Sequence, residues 1–187
     1  MAKELSGVVW VSRFPDAKTT NELAGTFRSG CQAFIAAMEA GGAHVEVSST
    51  RRPKERAHLM HYAWRIHKKT LNPQNVPSMA GVDIDWVHRR ADGSINLTAS
   101  RAAATAMVNA YDIAFQPALK SLHIDGKAID MTISWSGSLS VADKSGKAVK
   151  IASTPRNGMN SDLRKVGASY GVKKHPSDRP HWSTTGK

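Results

Sequence analysis

The stretch SLHIDGKAIDMTISW, residues 121–135, determines the fold that the sequence predicts. Its second half alternates between apolar and polar side chains, as expected of a β-strand with one face on a core. The apolar face carries Ile129, Met131, Ile133 and Trp135. Asp130 belongs to the polar face, and the small residue Gly126 before the strand lets another group approach closely. The sequence therefore predicts a strand over 128–135 that presents Asp130 at an accessible position.

Two separate segments supply side chains that are typical of a metal site. His123 and Asp130 lie in the first segment, and Asp178 and His181 follow in SDRPHWS, residues 177–183. Two imidazoles and one carboxylate are a common ligand set for a catalytic zinc ion, which keeps a further position open for water. A second carboxylate nearby accepts the proton of that water. The pattern therefore predicts a zinc site with an adjacent proton acceptor.

The second segment is predicted to lie in a loop or at the entry to an edge strand. Pro180 precedes His181 and lacks the N–H group that a strand ladder needs. Trp182, which follows His181, is predicted to anchor this loop on the core.

The order of these motifs resembles that of a known enzyme group. His-x6-Asp with an internal Gly-x-Ala-x-Asp, followed by Asp-x-x-His-Trp, resembles the D-alanyl-D-alanine metallopeptidases, which include vancomycin-resistance dipeptidases and many phage endolysins. This group shares a zinc superfamily with lysostaphin-type peptidases and the Hedgehog signalling domain. The resemblance implies that His123, Asp130 and His181 hold zinc. It also implies that Asp178 is the general base, a position where the group more often has Glu.

A third block, AHVEVSSTRRP at residues 43–53, resembles the Ser-Gly-Tyr-Arg segment of the same group. In that group the arginine points into the site and binds a carbonyl or carboxylate of the substrate. The resemblance gives this role to Arg51, with Arg52 as the alternative, and makes Ser49 a substrate-binding residue. A guanidinium suits the role because it stays charged and stabilises a developing oxyanion.

The predicted fold is a single α+β domain over residues 1–187, Hedgehog/DD-peptidase-like, with helices on one side of a small, mainly antiparallel sheet that carries the zinc site. A chain of 187 residues suits one domain with a sizeable core. The stretch 71–112 has no counterpart in short endolysins and is interpreted as an insertion. Within it, Asp85 and Trp86 are predicted to line the substrate groove.

The same stretch contains a rival metal cluster. Asp83, Asp85 and His88 lie close together in GVDIDWVHRR, residues 81–90. Alternation of apolar and polar side chains along a strand explains their spacing without a metal ion. The rival cluster is therefore the less favoured interpretation.

Periodicity predicts the other elements. Predicted helices span 20–40, 53–69 and 98–113; predicted strands span 7–12 and 43–48, with a hairpin at 136–150. The resemblance to endolysins implies a further short helix in the tail, residues 160–183. Cys31 falls on the apolar side of the first helix and is predicted to be buried rather than nucleophilic. His58, His61 and Arg65 are predicted to form a solvated face of the second helix.

The sequence carries 26 Lys and Arg against 15 Asp and Glu, a formal net charge of +11. A basic surface attracts polyanions such as nucleic acid, anionic membranes and the bacterial cell wall. The basic residues are dispersed, and the interleaved aromatic residues of single-strand binding proteins do not stand out. Together with the metal-site motifs, this distribution favours attraction to the cell wall over specific binding of nucleic acid.

Two features bear on localisation. No apolar run approaches the length of a membrane span, so membrane insertion is not predicted. The beginning MAKELSGVVWVSRFPD, residues 1–16, lacks the basic segment and long apolar core of a signal peptide. We therefore expect synthesis in the cytoplasm and delivery to the periplasm or cell wall by a phage holin or a contact-dependent secretion machine.

The predicted function is zinc-dependent hydrolysis of a peptide bond in peptidoglycan, as an endolysin or a secreted antibacterial effector. Peptidoglycan is the expected partner, together with an immunity or delivery protein. The bond that is cut, and the choice between endopeptidase and carboxypeptidase, stay open. Two other classes also stay open: a non-catalytic zinc domain that binds cell wall or protein, and a basic nucleic-acid-binding protein.

Overall fold

The computed structural model describes residues 3–187 and has mixed α+β structure. Residues 1 and 2, at which the predicted domain begins, lie outside the described part. The α-helices of residues 3–187 are α1 (Gly25–Ala40), α2 (Lys54–His67), α3 (Leu97–Ala110) and α4 (Ser161–Ser169). The strands of the same residues are β1 (Glu4–Leu5), β2 (His44–Ser49), β3 (Ile84–Asp85), β4 (Ala128–Ser134), β5 (Leu139–Ala142), β6 (Ala148–Ile151), β7 (Lys173–Lys174) and β8 (His181–Ser183).

Most elements lie where periodicity predicts them, and the differences are at their ends. Helix α1 begins at Gly25 rather than at residue 20, because Thr20–Glu22 form a separate 3-10 turn capped by the Thr19 hydroxyl. The predicted hairpin is present as β5 and β6, which pair antiparallel.

The predicted strand at 7–12 is wrong, because Val8–Trp10 form a 3-10 helix. Val8 and Val9 are more than half exposed, and Trp10 alone of the three is buried. These three consecutive apolar residues do not alternate with polar ones, so a strand would not place its apolar side chains on one buried face here.

The chain divides into two compact units. The first, which we call the sheet unit, comprises Asp16–Arg52 and Ser121–Lys187. The second, the helical unit, comprises Pro53–Lys120 with the described residues up to Pro15. The predicted insertion at 71–112 falls within the helical unit, and the prediction of one domain over 1–187 stays a prediction.

The sheet unit contains a four-stranded antiparallel sheet in the order β2–β4–β8–β7. Strand β4 pairs with β8 so that Asp130 lies opposite His181 and Ile129 lies opposite Trp182. Residues directly opposite each other in an antiparallel pair share a face of the sheet. The register therefore puts Asp130 and His181 together on one face, and Ile129 and Trp182 together on the other.

Strand β8 is an interior strand, so the predicted edge position of His181 is wrong. Pro180 does not prevent this position, because it lies immediately before the strand and contributes its carbonyl group rather than an N–H. That carbonyl accepts a hydrogen bond from Met131 N at 2.9 Å. A proline at the start of a strand is compatible with an interior position when only its acceptor is used.

The core of the sheet unit lies between the apolar face of the sheet and helices α1 and α4. Trp182 is fully buried, as predicted, and meets Phe34 of α1 edge to face with ring centroids 5.4 Å apart. Cys31 is also fully buried, and burial raises the pKa of its thiol to about 12. A thiol in this state is not a nucleophile at neutral pH, which agrees with its predicted structural role.

The helical unit has its own core between α2, α3 and the β3 segment. The predicted solvated face of α2 is wrong for His58 and His61, which are only 7% and 9% exposed. Nδ1 of His61 is 2.7 Å from the carbonyl oxygen of Pro117, and both imidazoles contact the ring of Tyr62. Burial, followed by the charge of His61, lowers the pKa of His58.

In residues 3–187, no helix combines the length and the apolar composition that a membrane span requires.

We expect Gly167→Ala to lower the free energy of unfolding by about 1–3 kcal/mol, as over-packing of a core does. A Cβ atom at position 167 would lie 2.8 Å from Cζ3 of Trp182 and 2.9 Å from the carbonyl oxygen of Val172. The matched control is Gly158→Ala, whose Cβ would meet the same indole ring at an ordinary 3.6 Å. Urea unfolding of both variants measures the difference; equal stability would contradict the close approach at Gly167.

Candidate metal centre

Three side chains converge on the polar face of the four-stranded sheet. Asp130 and His181 come from adjacent strands and lie opposite each other in register. His123 comes from the turn that precedes β4, where Gly126 N donates to the His123 carbonyl at 3.1 Å. Gly126 has a positive φ of 66°, which a glycine adopts without strain. This turn brings His123 back over the start of β4.

The donor atoms of the three side chains form a compact triangle. Nε2 of His123 is 3.3 Å from Oδ1 of Asp130 and 3.2 Å from Nδ1 of His181. Nδ1 of His181 is 3.1 Å from the same Oδ1 of Asp130. The group of His123, Asp130 and His181 could therefore hold a metal ion, with one ligand atom from each residue.

Each imidazole is held through the nitrogen that faces away from the triangle. Nδ1 of His123 is 2.7 Å from the carbonyl oxygen of Thr50, and Nε2 of His181 is 3.3 Å from the carbonyl oxygen of Lys187. A carbonyl only accepts hydrogen bonds, so these two nitrogens carry the protons. In the neutral imidazoles the lone pairs of the other two nitrogens face the triangle, as metal ligation requires. These nitrogens donate to Asp130 only when the imidazole is protonated.

Charges within the triangle favour an ionised carboxylate. Burial disfavours the charged form of Asp130, but hydrogen bonds from His123 and His181 outweigh it and hold its pKa far below the usual range. Burial also disfavours the charged form of His123, and the hydrogen bond and charge of Asp130 again prevail and raise its pKa. The Arg52 charge opposes that rise.

A cleft of about 400 Å³ opens beside the triangle. Its lining includes His123 and His181 and also Asp178, the predicted general base. Asp178 is exposed, and its backbone is fixed because its N–H donates to Nδ1 of His175 at 3.0 Å. The structure thus brings the predicted base into the same cleft as two of the predicted ligands.

His175 lines this cleft too, and the sequence patterns did not single it out. Its ring is almost perpendicular to that of His181, with centroids 5.8 Å apart. Nδ1 of His175 accepts the Asp178 N–H, so its proton sits on Nε2. A prediction of the β7–β8 hairpin would have identified His175, because residues 175 and 181 are the two ends of the hairpin loop and such ends lie side by side.

Lys174 lies beneath the same loop. It ends β7 opposite Trp182, and its side chain is largely buried. Burial lowers the pKa of its ammonium group to about 8, and the charge of Asp178 opposes this shift.

The two candidate arginines differ in how they are held. Arg51 is 57% exposed and has a long ion pair of 4.0 Å with Glu22. Arg52 is held by Asp16 through Nε at 3.1 Å and Nη2 at 2.9 Å. Its backbone N–H also donates to the His123 carbonyl at 3.1 Å. Arg52 therefore belongs to the frame around His123, while the exposed Arg51 is more weakly held.

Ser49 lies opposite Asp130 in the sheet, at a bulge of β2. It is buried, and its hydroxyl donates to Oδ2 of Asp16 at 3.3 Å. The structure thus places Ser49 in the same hydrogen-bonded cluster as Asp16 and Arg52.

Asp85 and Trp86 lie in the helical unit. Trp86 is buried in the core of that unit, and Oδ1 of Asp85 accepts a hydrogen bond from Val87 N at 2.9 Å. The rival cluster of Asp83, Asp85 and His88 is not borne out, because in residues 3–187 the metal-ligating group is that of His123, Asp130 and His181. His88 instead bonds to Ser6 at 3.1 Å.

The chain matches no family model and no curated protein.

We expect Asp130→Asn to weaken metal binding by at least 100-fold, because the carboxylate charge is lost from a site with only three protein ligands. A competition titration of zinc against a chelating dye measures the affinity. Thr132→Asn is the matched control, since it puts the same amide on an exposed position of the same strand. Equal zinc affinities in the two variants would contradict the assignment.

Proposed function

We propose that the protein is a zinc-dependent peptidase that hydrolyses a peptide bond in the stem peptide or cross-link of peptidoglycan. The observation that carries this proposal is the triangle of His123, Asp130 and His181 with Asp178 in the adjoining cleft. A metal with an open coordination position beside a free carboxylate is the arrangement that metal-assisted hydrolysis needs.

The donor set and its dimensions support zinc as the metal. Zinc binds imidazole nitrogen and carboxylate oxygen at about 2.0–2.2 Å, so tetrahedral ligand atoms are about 3.3 Å apart. The three observed separations of 3.1–3.3 Å lie close to this value. Calcium and magnesium prefer oxygen ligands, and two imidazoles therefore disfavour them.

Bound zinc would lower the pKa of a water molecule and polarise the scissile carbonyl. The residues of the chain then have separate tasks. Asp178 takes the proton of the attacking water and delivers it to the leaving amine. Its backbone is anchored to His175, which limits how far the carboxylate can move.

Arg51 is the better candidate for binding the substrate. Exposed ion pairs as long as that between Arg51 and Glu22 contribute little stability, so the guanidinium can exchange Glu22 for a substrate carboxylate or carbonyl. Arg52 would first have to leave the paired contacts with Asp16. Charge-assisted contacts of this kind are strong, and they favour a structural role for Arg52.

The resemblance to the D-alanyl-D-alanine metallopeptidases supplies the substrate class. The sheet carries Asp130 and His181, and the turn before β4 carries His123. The three follow in the order of that group, which supports a Hedgehog/DD-peptidase-like fold for the sheet unit. The net charge of +11 favours attraction to the anionic cell wall. We propose that the enzyme acts in the periplasm or cell wall after delivery by a holin or a secretion machine, with an immunity or delivery protein as a second partner.

We expect the metal-loaded protein to release new peptide fragments from purified sacculi, and Asp178→Asn to release them about 10²- to 10⁴-fold more slowly, the usual contribution of a general base. Asp178→Asn should keep wild-type zinc affinity, because Asp178 is not a ligand of the triangle. Mass spectrometry of the muropeptides measures the rate, and the fragment masses identify the bond.

The controls are metal-stripped protein and Asp83→Asn, which changes an exposed carboxylate of the helical unit. Activity that survives metal removal would contradict a metallopeptidase. Unchanged muropeptides with one zinc bound per chain would instead indicate a structural zinc in a binding domain.

A further inference from the structure

The 175–181 loop, which follows β7 and ends with His181, the first residue of β8, encloses the ammonium group of Lys174. Nζ of Lys174 donates to three backbone carbonyl oxygens of this loop: those of His175 at 3.2 Å, of His181 at 2.9 Å, and of Asp178. The Lys174 side chain therefore contacts the first residue of the loop, the last residue and one in the middle.

The three contacts use the full hydrogen-bonding capacity of the group. An ammonium has three donors and no acceptor, and hydrogen bonds to a charged donor are stronger than neutral ones. The side chain is largely buried, with Nζ 5.5 Å from the ring centroid of Trp182. Because solvent is largely excluded here, loss of the ammonium would remove the charge on which the three carbonyl dipoles converge, which is costly.

The backbone of the loop supplies few other bonds across its interior. His175 N donates to the His181 carbonyl at 3.0 Å, and His181 N donates to the Asp178 carbonyl at 3.3 Å. Both acceptors are also acceptors for Lys174. The ammonium therefore ties together the carbonyls on which the loop closes.

The functional groups of the cleft depend on this closure. His181 contributes Nδ1 to the metal triangle, and Asp178 and His175 line the cleft beside it. All three belong to the loop whose carbonyls Lys174 binds. A shift of the loop would change the distance between Nδ1 of His181 and Oδ1 of Asp130, which is 3.1 Å.

We propose that Lys174 is a positioning residue of the metal centre, an internal cation that holds the 175–181 loop closed and so fixes His181 and Asp178. This inference rests on the metal binding of the proposed function but not on peptide hydrolysis. The neighbouring Lys173 provides a matched comparison, because it lies on the same strand and is exposed.

The test compares Lys174→Ala with Lys173→Ala by three measurements. Amide hydrogen exchange of the metal-free protein reports loop closure, dye competition reports zinc affinity, and the visible spectrum of bound Co²⁺ reports ligand geometry. In Lys174→Ala we expect the backbone amides of Asp178 and His181 to exchange hydrogen at least tenfold faster than in the wild-type protein. The zinc affinity of this variant should fall by about 10- to 100-fold, as it does when groups that orient metal ligands are lost, and its Co²⁺ spectrum should change. Lys173→Ala should match wild type in all three.

Chemical rescue separates positioning by the cation from general damage. Lys174→Ala lacks three methylene groups and the ammonium, which is the structure of n-propylammonium. We expect millimolar n-propylammonium to restore amide protection and zinc affinity, and tetramethylammonium, which has no N–H donor, to have no effect. If Lys174→Ala does not fold, Lys174→Met keeps the apolar stem without the charge and undergoes the same three measurements.

The proposal would be overturned if the Lys174 variant had the same amide exchange, zinc affinity and Co²⁺ spectrum as the wild-type protein. It would also be overturned if both ammonium compounds restored the variant equally. Failure of the proposed function gives a different result. In that case the wild-type protein itself binds no zinc or cleaves no peptide, while the exchange difference between the Lys174 and Lys173 variants, measured without metal, is still present.

Discussion

The pairing of β4 with β8 is the constraint on which the sheet unit depends. It sets Asp130 opposite His181 on one face and Ile129 opposite Trp182 on the other. The side-chain period of a strand is two, so a slip of one residue would move Trp182 out of the core and His181 away from Asp130. Burial of Trp182 therefore fixes the register that builds the metal triangle, and stability and site geometry have the same cause.

Around this pairing, backbone carbonyls orient the ligands. The Thr50 carbonyl fixes the proton of His123, and Thr50 is itself fully buried, with its N–H bonded to the Ala17 carbonyl at 2.7 Å. On the other side, the loop that ends at His181 is closed on the ammonium of Lys174. Main-chain acceptors are rigid because neighbouring structure holds them, so the imidazoles are oriented before a metal binds.

The charges near the triangle keep Asp130 in the ionised form that binds a metal, and they raise the pKa of His123. Asp130 is ionised because two imidazoles bond to it. Arg52 opposes protonation of His123, and Asp16 pairs with this half-buried guanidinium. Arg51, in contrast, is exposed.

The sequence by itself determined the elements and the ligand set. Strand β4, helices α1–α3 and the buried Cys31 follow from local periodicity and residue type, because these decide which face of an element is buried. The choice of His123, Asp130 and His181 as ligands, with Asp178 left as base, came from the order of the motifs and the family that it resembles. Only the tertiary structure decided which elements meet. It placed β8 inside the sheet, buried His58 and His61, brought His175 into the cleft, separated the environments of Arg51 and Arg52, and set Lys174 beneath the loop. These features depend on contacts between residues far apart in the chain, and the local spacing of residue types does not specify such contacts.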